Sequence, residues 1–112
     1  MITLPNASAA VVDIRKLTDY FLNVDHDEGK HKAYVFKSVL GITAYDADEL
    51  KGRILEEVLV NPAVIGKQDE YGKRYSVRFS CTRKQRTATI LTAWIVRSGE
   101  NFPRLTSCYV DS

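Results

Sequence analysis

The sequence predicts an α+β fold, with about three N-terminal helices packed on one face of a roughly four-stranded antiparallel sheet. Two observations carry this. Apolar residues recur at helical spacing as far as Val58 and at every second position after Pro62. The two periods do not interleave: helices come first and a strand meander comes after them, an order that segregates helices to one side of the sheet. A chain of 112 residues suits one domain. Residues 1–12 are expected to form a leader arm or strand, 13–60 the helical part and 63–110 the sheet.

Each element has its own signal. The first twelve residues are mostly small or turn-forming, with Pro5, Asn6 and Ser8. Asp13 can cap a helix, and Leu17, Tyr20 and Phe21 recur at three-to-four spacing, so a short helix is expected over Asp13–Leu22. Asn23-Val-Asp-His-Asp-Glu-Gly29 breaks the pattern with turn formers and charges. Ala33, Phe36, Val39 and Leu40 mark a second helix, ended by Gly41, the residue best suited to a left-handed stop. A third is expected to open at Asp46-Ala-Asp-Glu49, a capping-box spacing. It presents Leu50, Ile54 and Val58 on one stripe and stops at Asn61-Pro62.

Ala63–Asp69 reads as the first strand, joined to the next through Glu70-Tyr71-Gly72. Tyr75, Val77, Phe79 and Cys81 then alternate with Arg74, Ser76, Arg78 and Ser80, a half-buried strand with one basic polar face. Thr87–Arg97 is rich in β-branched and aromatic residues. Ser98-Gly99-Glu100-Asn101 forms a turn, and Pro103–Val110 gives the last strand.

Composition narrows the class. Hydrophobic residues make up 45% of the chain, and four Phe, one Trp and six Tyr supply a core that needs no metal or disulfide staple. Cys81 and Cys108 lack the spacing of a disulfide framework or a zinc site. No apolar run approaches the ~18–20 residues of a membrane span, and the opening Met-Ile-Thr-Leu-Pro lacks the features of a signal peptide. The expectation is a reduced, cytosolic protein with no membrane partner.

A net charge of +2 says little, but its distribution is uneven. Asp46–Glu57 holds five acids against two bases, whereas Lys67–Arg86 holds seven bases against two acids. Arg74 and Arg78 share a strand face, and Arg83, Lys84 and Arg86 crowd one turn. These five cations are the expected RNA-binding set, gripping phosphates as point charges and bidentate forks. The alternative is a solubilising, edge-protecting turn.

No phosphate-binding glycine loop, metal-ligand cluster or nucleophile elbow is present, so neither metal nor cofactor is expected. Asp25 and Asp27 flank His26, but no further His or Cys is suitably spaced. Ser107-Cys108 has no base following it, and Cys108 reads as a buried small hydrophobe. What remains is His26, Lys30, His31 and Lys32 before the second helix, with Arg104, Thr106, Ser107 and Tyr109 on the last strand. RNA cleavage through the 2′-hydroxyl needs a base, a cation over the crowded phosphate and an acid for the leaving oxygen, and these residue types meet those needs without metal. Each also has a plainer role. His26 can cap the second helix, Lys32 can be a solvated first-turn lysine, Arg104 can pair with Glu100, and Tyr109 can belong to the core.

Longer matches add to this reading. Lys16-Leu-Thr-Asp-Tyr-Phe-Leu-Asn23, then His26, Gly29, Lys32-Ala33, Phe36 and Leu40-Gly41, resemble an uncharacterised bacterial domain family. Its members occur alone and at the C-termini of polymorphic toxins and phage head-morphogenesis-like proteins. Tyr71-Gly-Lys-Arg-Tyr75, Thr87-Ala-Thr-Ile90, Thr92-Ala-Trp-Ile95 and Pro103-Arg-Leu-Thr106 with Tyr109 continue the resemblance. In setting and element order that family is similar to the barnase/EndoU/colicin/RelE-like ribonuclease toxins.

The resemblance implies a metal-independent, ribonuclease-like toxin domain acting on RNA. His26 would be general base or acid, Lys32 and Arg104 would stabilise the phosphorane, and Thr106 and Tyr109 would orient or donate. It also implies a cognate antitoxin or immunity protein, acidic and covering the basic sheet face. Three features depart from the family: Leu91 stands where relatives often carry Arg, the turn Thr82–Arg86 lacks a Gly, and Val24 and Asp27 replace frequent prolines. The competing expectation is a non-catalytic module that binds protein or nucleic acid through the same basic sheet face. Geometry separates the two. Catalysis requires His26 within a phosphate's reach of Arg104 or Thr106, the latter two sharing a sheet face by their two-residue spacing.

Overall fold

The computed structural model describes residues 2–111. Helix α1 (residues 14–21) starts where a cap residue allows it: the Asp13 carboxylate accepts the Arg15 N–H at 3.0 Å. One α-helical turn, Ile14–Lys16, widens into a π-type turn over Leu17–Phe21. The Leu22 N–H closes it on the Leu17 carbonyl at 2.8 Å. Helix α2 (residues 30–40) is built the same way, Lys30–Val35 followed by a wide turn over Phe36–Leu40. Gly41, at φ 66°, then turns the chain away, as expected of a glycine stop.

Helix α3 is Ala47–Glu57, entered through a 3₁₀ turn at Ala44–Asp46. Its cap corrects the sequence expectation. Asp46 Oδ2 accepts from the Thr43 N–H at 2.9 Å and from Thr43 Oγ1 at 3.3 Å. The reciprocal pair is therefore Thr43–Asp46, one turn ahead of Asp46–Glu49. Thr43 is extended, at φ −121° and ψ 179°, as a capping residue must be, whereas Asp46 already lies inside the turn.

After Pro62 the four strands are β1 Ala63–Asp69, β2 Gly72–Arg83, β3 Arg86–Arg97 and β4 Pro103–Asp111. They pair antiparallel in the order β1-β2-β3-β4, with the helices N-terminal to the strands. The β2–β3 hairpin holds register from Gly72↔Arg97 to Arg83↔Arg86. Its two-residue turn puts Lys84 at φ 52° and Gln85 at φ 67°, conformations usually left to Asn and Gly. In β4 the register shifts: Ala93 faces Ser107 but Trp94 faces Leu105, so Thr106 is an inserted bulge residue.

The core lies between helices and sheet. Leu17, Phe21, Phe36, Leu40, Leu50, Ile54 and Val58 from the helices join Val77, Phe79, Ile90, Trp94, Leu105 and Cys108 from the strands. Its polar atoms are paired, the Trp94 Nε1–H donating to Thr92 Oγ1 at 2.8 Å and that hydroxyl donating to the Val77 carbonyl at 2.9 Å. The opposite sheet face is not simply polar. Leu91 and Ile95 alternate onto it yet are only 7% and 8% exposed, flanked across the strands by Arg78 and Tyr109 and by Arg74 and Arg104. Arginine stems beside apolar residues account for part of that burial.

The leader is not a loose arm. The Ala63 N–H donates to the Ile2 carbonyl at 2.8 Å, tying its start to β1. Val11 exchanges bonds with Pro103 and Leu105 at 2.9 and 3.0 Å, tying its end to β4. Leu4, between those ties, and Val12, just past the second, enter the core. Among the described residues no helix is long and apolar enough to cross a membrane.

Candidate functional site

Two irregularities build the site. The wide turn of α1 and the bulge of β4 face each other, and a cleft of about 280 Å³ opens there, lined by Lys16, Tyr20, Phe21, Lys32, Thr106 and Ser107. Lys16 is anchored, its Nζ donating to the Leu105 carbonyl at 3.1 Å, a part-buried backbone group on the outer edge of β4. Lys32, in the first turn of α2, holds its Nζ 4.5 Å from the centre of the Tyr109 ring. No carboxylate of the described residues forms an ion pair with Lys16 or Lys32. The cleft thus offers two ammonium groups and two hydroxyls, a combination suited to a phosphate.

His26 stands beside this cleft without lining it. Its ring packs 4.3 Å from that of Tyr20, centre to centre. Its Nδ1 accepts two backbone N–H groups, from Glu28 at 3.1 Å and Gly29 at 3.0 Å. These donors belong to the entry of α2, so the imidazole does the work of a helix cap. The bonds also fix its chemistry: with Nδ1 accepting, the neutral ring carries its proton on Nε2. Nε2 then has no lone pair for a proton, and protonating Nδ1 would break both cap bonds. In this arrangement the His26 Nδ1 lone pair is committed to the helix cap. Gly29 completes the junction, because a Cβ there would lie 2.6 Å from the Tyr20 carbonyl oxygen. Only glycine lets the end of α1 and the start of α2 approach this closely.

Arg104 is held apart from the cleft. Its Nε and Nη2 each donate to Glu100 at 3.0 Å, and its guanidinium lies 4.9 Å from the Phe102 ring centre. The hydrogen bonds from Arg104 hold the Glu100 carboxyl below its ordinary range. Arg104 lines a neighbouring depression of about 100 Å³ with Val11, Asp13, Lys16, Arg97 and Leu105. The expected common face for Arg104 and Thr106 fails because the bulge interrupts the alternation. Arg104 faces Ile95 and Ser107 faces Ala93, while Thr106 is the extra residue between them. Of the expected catalytic set, the structure brings Lys32, Thr106 and Tyr109 together, places His26 one ring behind them and sends Arg104 next door.

The expected RNA-binding stretch is largely engaged within the molecule. Arg74 pairs with Asp69 at 2.8 Å and Arg78 with Asp111 at 2.6 Å. Arg83, with a side chain only 13% exposed, binds Glu49 at 2.6 Å and Asp46 at 3.1 Å. It also donates to the carbonyls of Leu40 and Gly41 at 3.2 and 2.8 Å, which tethers the end of α2 to the hairpin. Arg86 donates to the Ser38 carbonyl at 2.9 Å. Lys84 and Arg86 both stand exposed without an ion pair among the described residues, and Lys84 makes no side-chain hydrogen bond either. Arg83 is a structural clamp, and its four partners lie far from it in sequence.

Two further positions bear on reactivity. Cys108 is fully buried, and burial pushes its thiol up to about 12, which keeps it protonated and inert. Leu91, opposite Arg78 and Tyr109, keeps an apolar group where the resemblance implies an arginine. Among the described residues no three His, Cys, Asp or Glu side chains converge as a metal site would require. Sequence reasoning missed Lys16 and Tyr20, although their four-residue spacing on one helix was a usable signal.

Comparison with known proteins bears on fold and family. The fold is similar to a chain of a contact-dependent growth inhibition toxin–immunity protein complex from Klebsiella pneumoniae 342, with a TM-score of 0.67 and 13% identity. The match covers 90% of this chain and 99% of that one. No curated protein sequence matches. A family model matches residues 3–112, and the chain therefore belongs to the domain family of unknown function DUF6883.

Proposed function

We propose that this chain is a toxin-type domain of a toxin–immunity pair that grips RNA in the α1–α2–β4 cleft and cleaves it without metal. The observation that carries the reading is the convergence of Lys16, Lys32, Thr106 and Ser107 around one cleft bordered by Tyr20. The fold likeness to a toxin–immunity complex supports the setting. In this reaction the RNA 2′-hydroxyl gives its proton to solvent water as its oxygen attacks the adjacent phosphorus, the 5′-oxygen leaves with a proton from the Tyr109 phenol, which water restores, and a 2′,3′-cyclic phosphate remains. Lys16 and Lys32 neutralise the crowded phosphate, Thr106 and Ser107 orient its oxygens, and the Tyr109 phenol supplies an exchangeable proton. His26 holds the loop and the Tyr20 ring that border the cleft.

One observation favours a second reading, RNA binding without cleavage. The His26 cap and the Arg104–Glu100 pair occupy the two residues the resemblance would make most reactive. Incubation of the purified domain with RNA in chelator separates the readings. Cleavage ending in cyclic phosphate, abolished in Lys32→Ala, supports the enzyme, and intact RNA that is bound and shifted supports the module. His26→Asn keeps a side-chain oxygen for the two N–H groups, whereas His26→Ala does not. A positioning role predicts that cleavage survives in the asparagine variant. Loss in both variants makes His26 an acid–base group after all. The partner is an acidic immunity protein that covers the cleft, and the two copurify with an affinity that falls as salt is raised.

A further inference from the structure

Next to the cleft, and sharing Lys16 with it, lies the depression of about 100 Å³ lined by Val11, Asp13, Lys16, Arg97, Arg104 and Leu105. It falls well below the ~300–1,000 Å³ of sites that enclose a whole small-molecule ligand, so it suits a single group such as a phosphate. Its charge agrees. Lys16, Arg97 and Arg104 supply three cations, against the lining carboxylate of Asp13, which is engaged with Arg15, and that of Glu100, which is engaged with Arg104. Asp13 accepts from the Arg15 N–H at 3.0 Å and pairs with the Arg15 side chain at 3.5 Å. Glu100 takes Nε and Nη2 of Arg104, and Arg104 Nη1 makes no hydrogen bond among the described residues. Arg97 is exposed at the end of β3 and forms no ion pair among the described residues.

The spacing agrees as well. The depression is lined by β4 at Arg104 and Leu105, the cleft at Thr106 and Ser107. From Arg104, facing Ile95, to Ser107, facing Ala93, the register advances two residues of β3, ~6.6 Å, the order of separation between successive phosphates on an extended backbone. We infer that the depression is a second phosphate subsite, so that the domain's ligand is single-stranded RNA holding two consecutive phosphates along the β4 edge. Lys16 lies between the two phosphates. The Arg104–Glu100 pair holds the guanidinium at the rim of this subsite, and Arg97, whose charge also acts on Glu100, adds a cation that forms no ion pair among the described residues. This inference rests on the RNA reading of the cleft and adds to it the length and register of what is bound.

The test is equilibrium binding of a labelled, non-cleavable 2′-O-methyl RNA pentamer, measured over a range of salt with the wild type, Arg97→Gln and Lys32→Gln. Arg97 is exposed, and circular dichroism with thermal melting checks that each variant is folded. Arg97→Gln is expected to weaken binding about five-fold and to lower the slope of log affinity against log salt by ~0.7, the loss of one phosphate contact on a single strand. Competition by a 2′-O-methyl dinucleoside monophosphate, which has one phosphate, is expected to weaken in Lys32→Gln and stay unchanged in Arg97→Gln. If Arg97→Gln leaves affinity and salt slope intact while Lys32→Gln weakens binding, the second subsite is overturned and the cleft reading stands. If neither variant changes binding, the cleft reading itself is overturned.

Discussion

The chain has two basic regions, and they use their charge in opposite ways. At the β2–β3 hairpin, Arg83 and Arg86 donate to backbone carbonyls of α2, and Arg83 also clamps Asp46 and Glu49 around α3. At the β4 edge, Lys16 keeps one backbone contact and Lys32 lies over an aromatic ring, and neither forms an ion pair among the described residues. The hairpin is the denser cluster in sequence, yet Arg83 is spent on the fold, whereas both ammonium groups of the cleft lack an ion pair among the described residues. Acids distant in sequence decide which cations remain free. The acidic stretch of α3 exists in part to receive Arg83.

The largest test of this contrast is Arg83→Met, which keeps the stem and removes the guanidinium. It leaves two carbonyls and two carboxylates without their donor, and it is expected to cost about 3 kcal/mol of folding stability in chemical denaturation. RNA affinity at a temperature where the variant is folded should not change. A loss of affinity with unchanged stability would return the hairpin to the binding surface.

Acidification probes the same clamp. Bonds from the Thr43 N–H, then the neighbouring Arg83 charge and the Thr43 hydroxyl, hold the Asp46 carboxyl below its ordinary value against the opposing effect of burial. A depressed carboxylate contributes stability that is present above its unfolded value of about 3.9 and lost as pH falls through the folded value. Melting temperature is therefore expected to drop as pH is lowered below about 4, with a shallower drop in Asp46→Asn. Equal slopes in the two proteins would remove Asp46 from the clamp.

Gln85→Gly acts in the other direction. Gln85 sits at φ 67°, where a side chain is strained and glycine is not, so the variant should gain about 1 kcal/mol. Thermal melting reads it directly. The smallest expected effect on stability is Lys32→Ala, within about 0.5 kcal/mol because the ammonium is surface-bound. That variant sharpens the comparison most, since it should lose RNA binding while its unfolding curve stays in place.

Much of the fold was legible because its signals are local. Asp13 as a cap, Gly41 as a stop, Pro62 as a breaker and Ala63–Asp69 as a strand all depend on a few adjacent residues. The α3 cap was misread by one turn because Asp46 and Glu49 have the right spacing, and only backbone geometry shows that Thr43 is the extended residue. The site was half legible. Lys32, Thr106 and Tyr109 converge, but the bulge that separates Thr106 from Arg104 leaves no trace in a period-two pattern. His26 was singled out for its chemistry, and its committed Nδ1 depends on two N–H groups that the helix entry brings within reach. The partners of Arg83 could not be read locally, being more than thirty residues away.

The leader segment bears on the timing of synthesis. Its first residues join β1 through Ile2 and Ala63, and its end joins β4 through Val11, Pro103 and Leu105. A nascent chain makes this segment before its partners and has nothing to attach its end to until Leu105 has cleared the ribosome. Contacts so distant in sequence close late, because the loop between them must be ordered first. Leu4 and Val12 thus emerge ahead of the rest of the buried core they join, a long interval for chaperones or proteases to act. Stalled chains ending short of β4 should be cut within residues 2–12, and chains extended beyond it should resist.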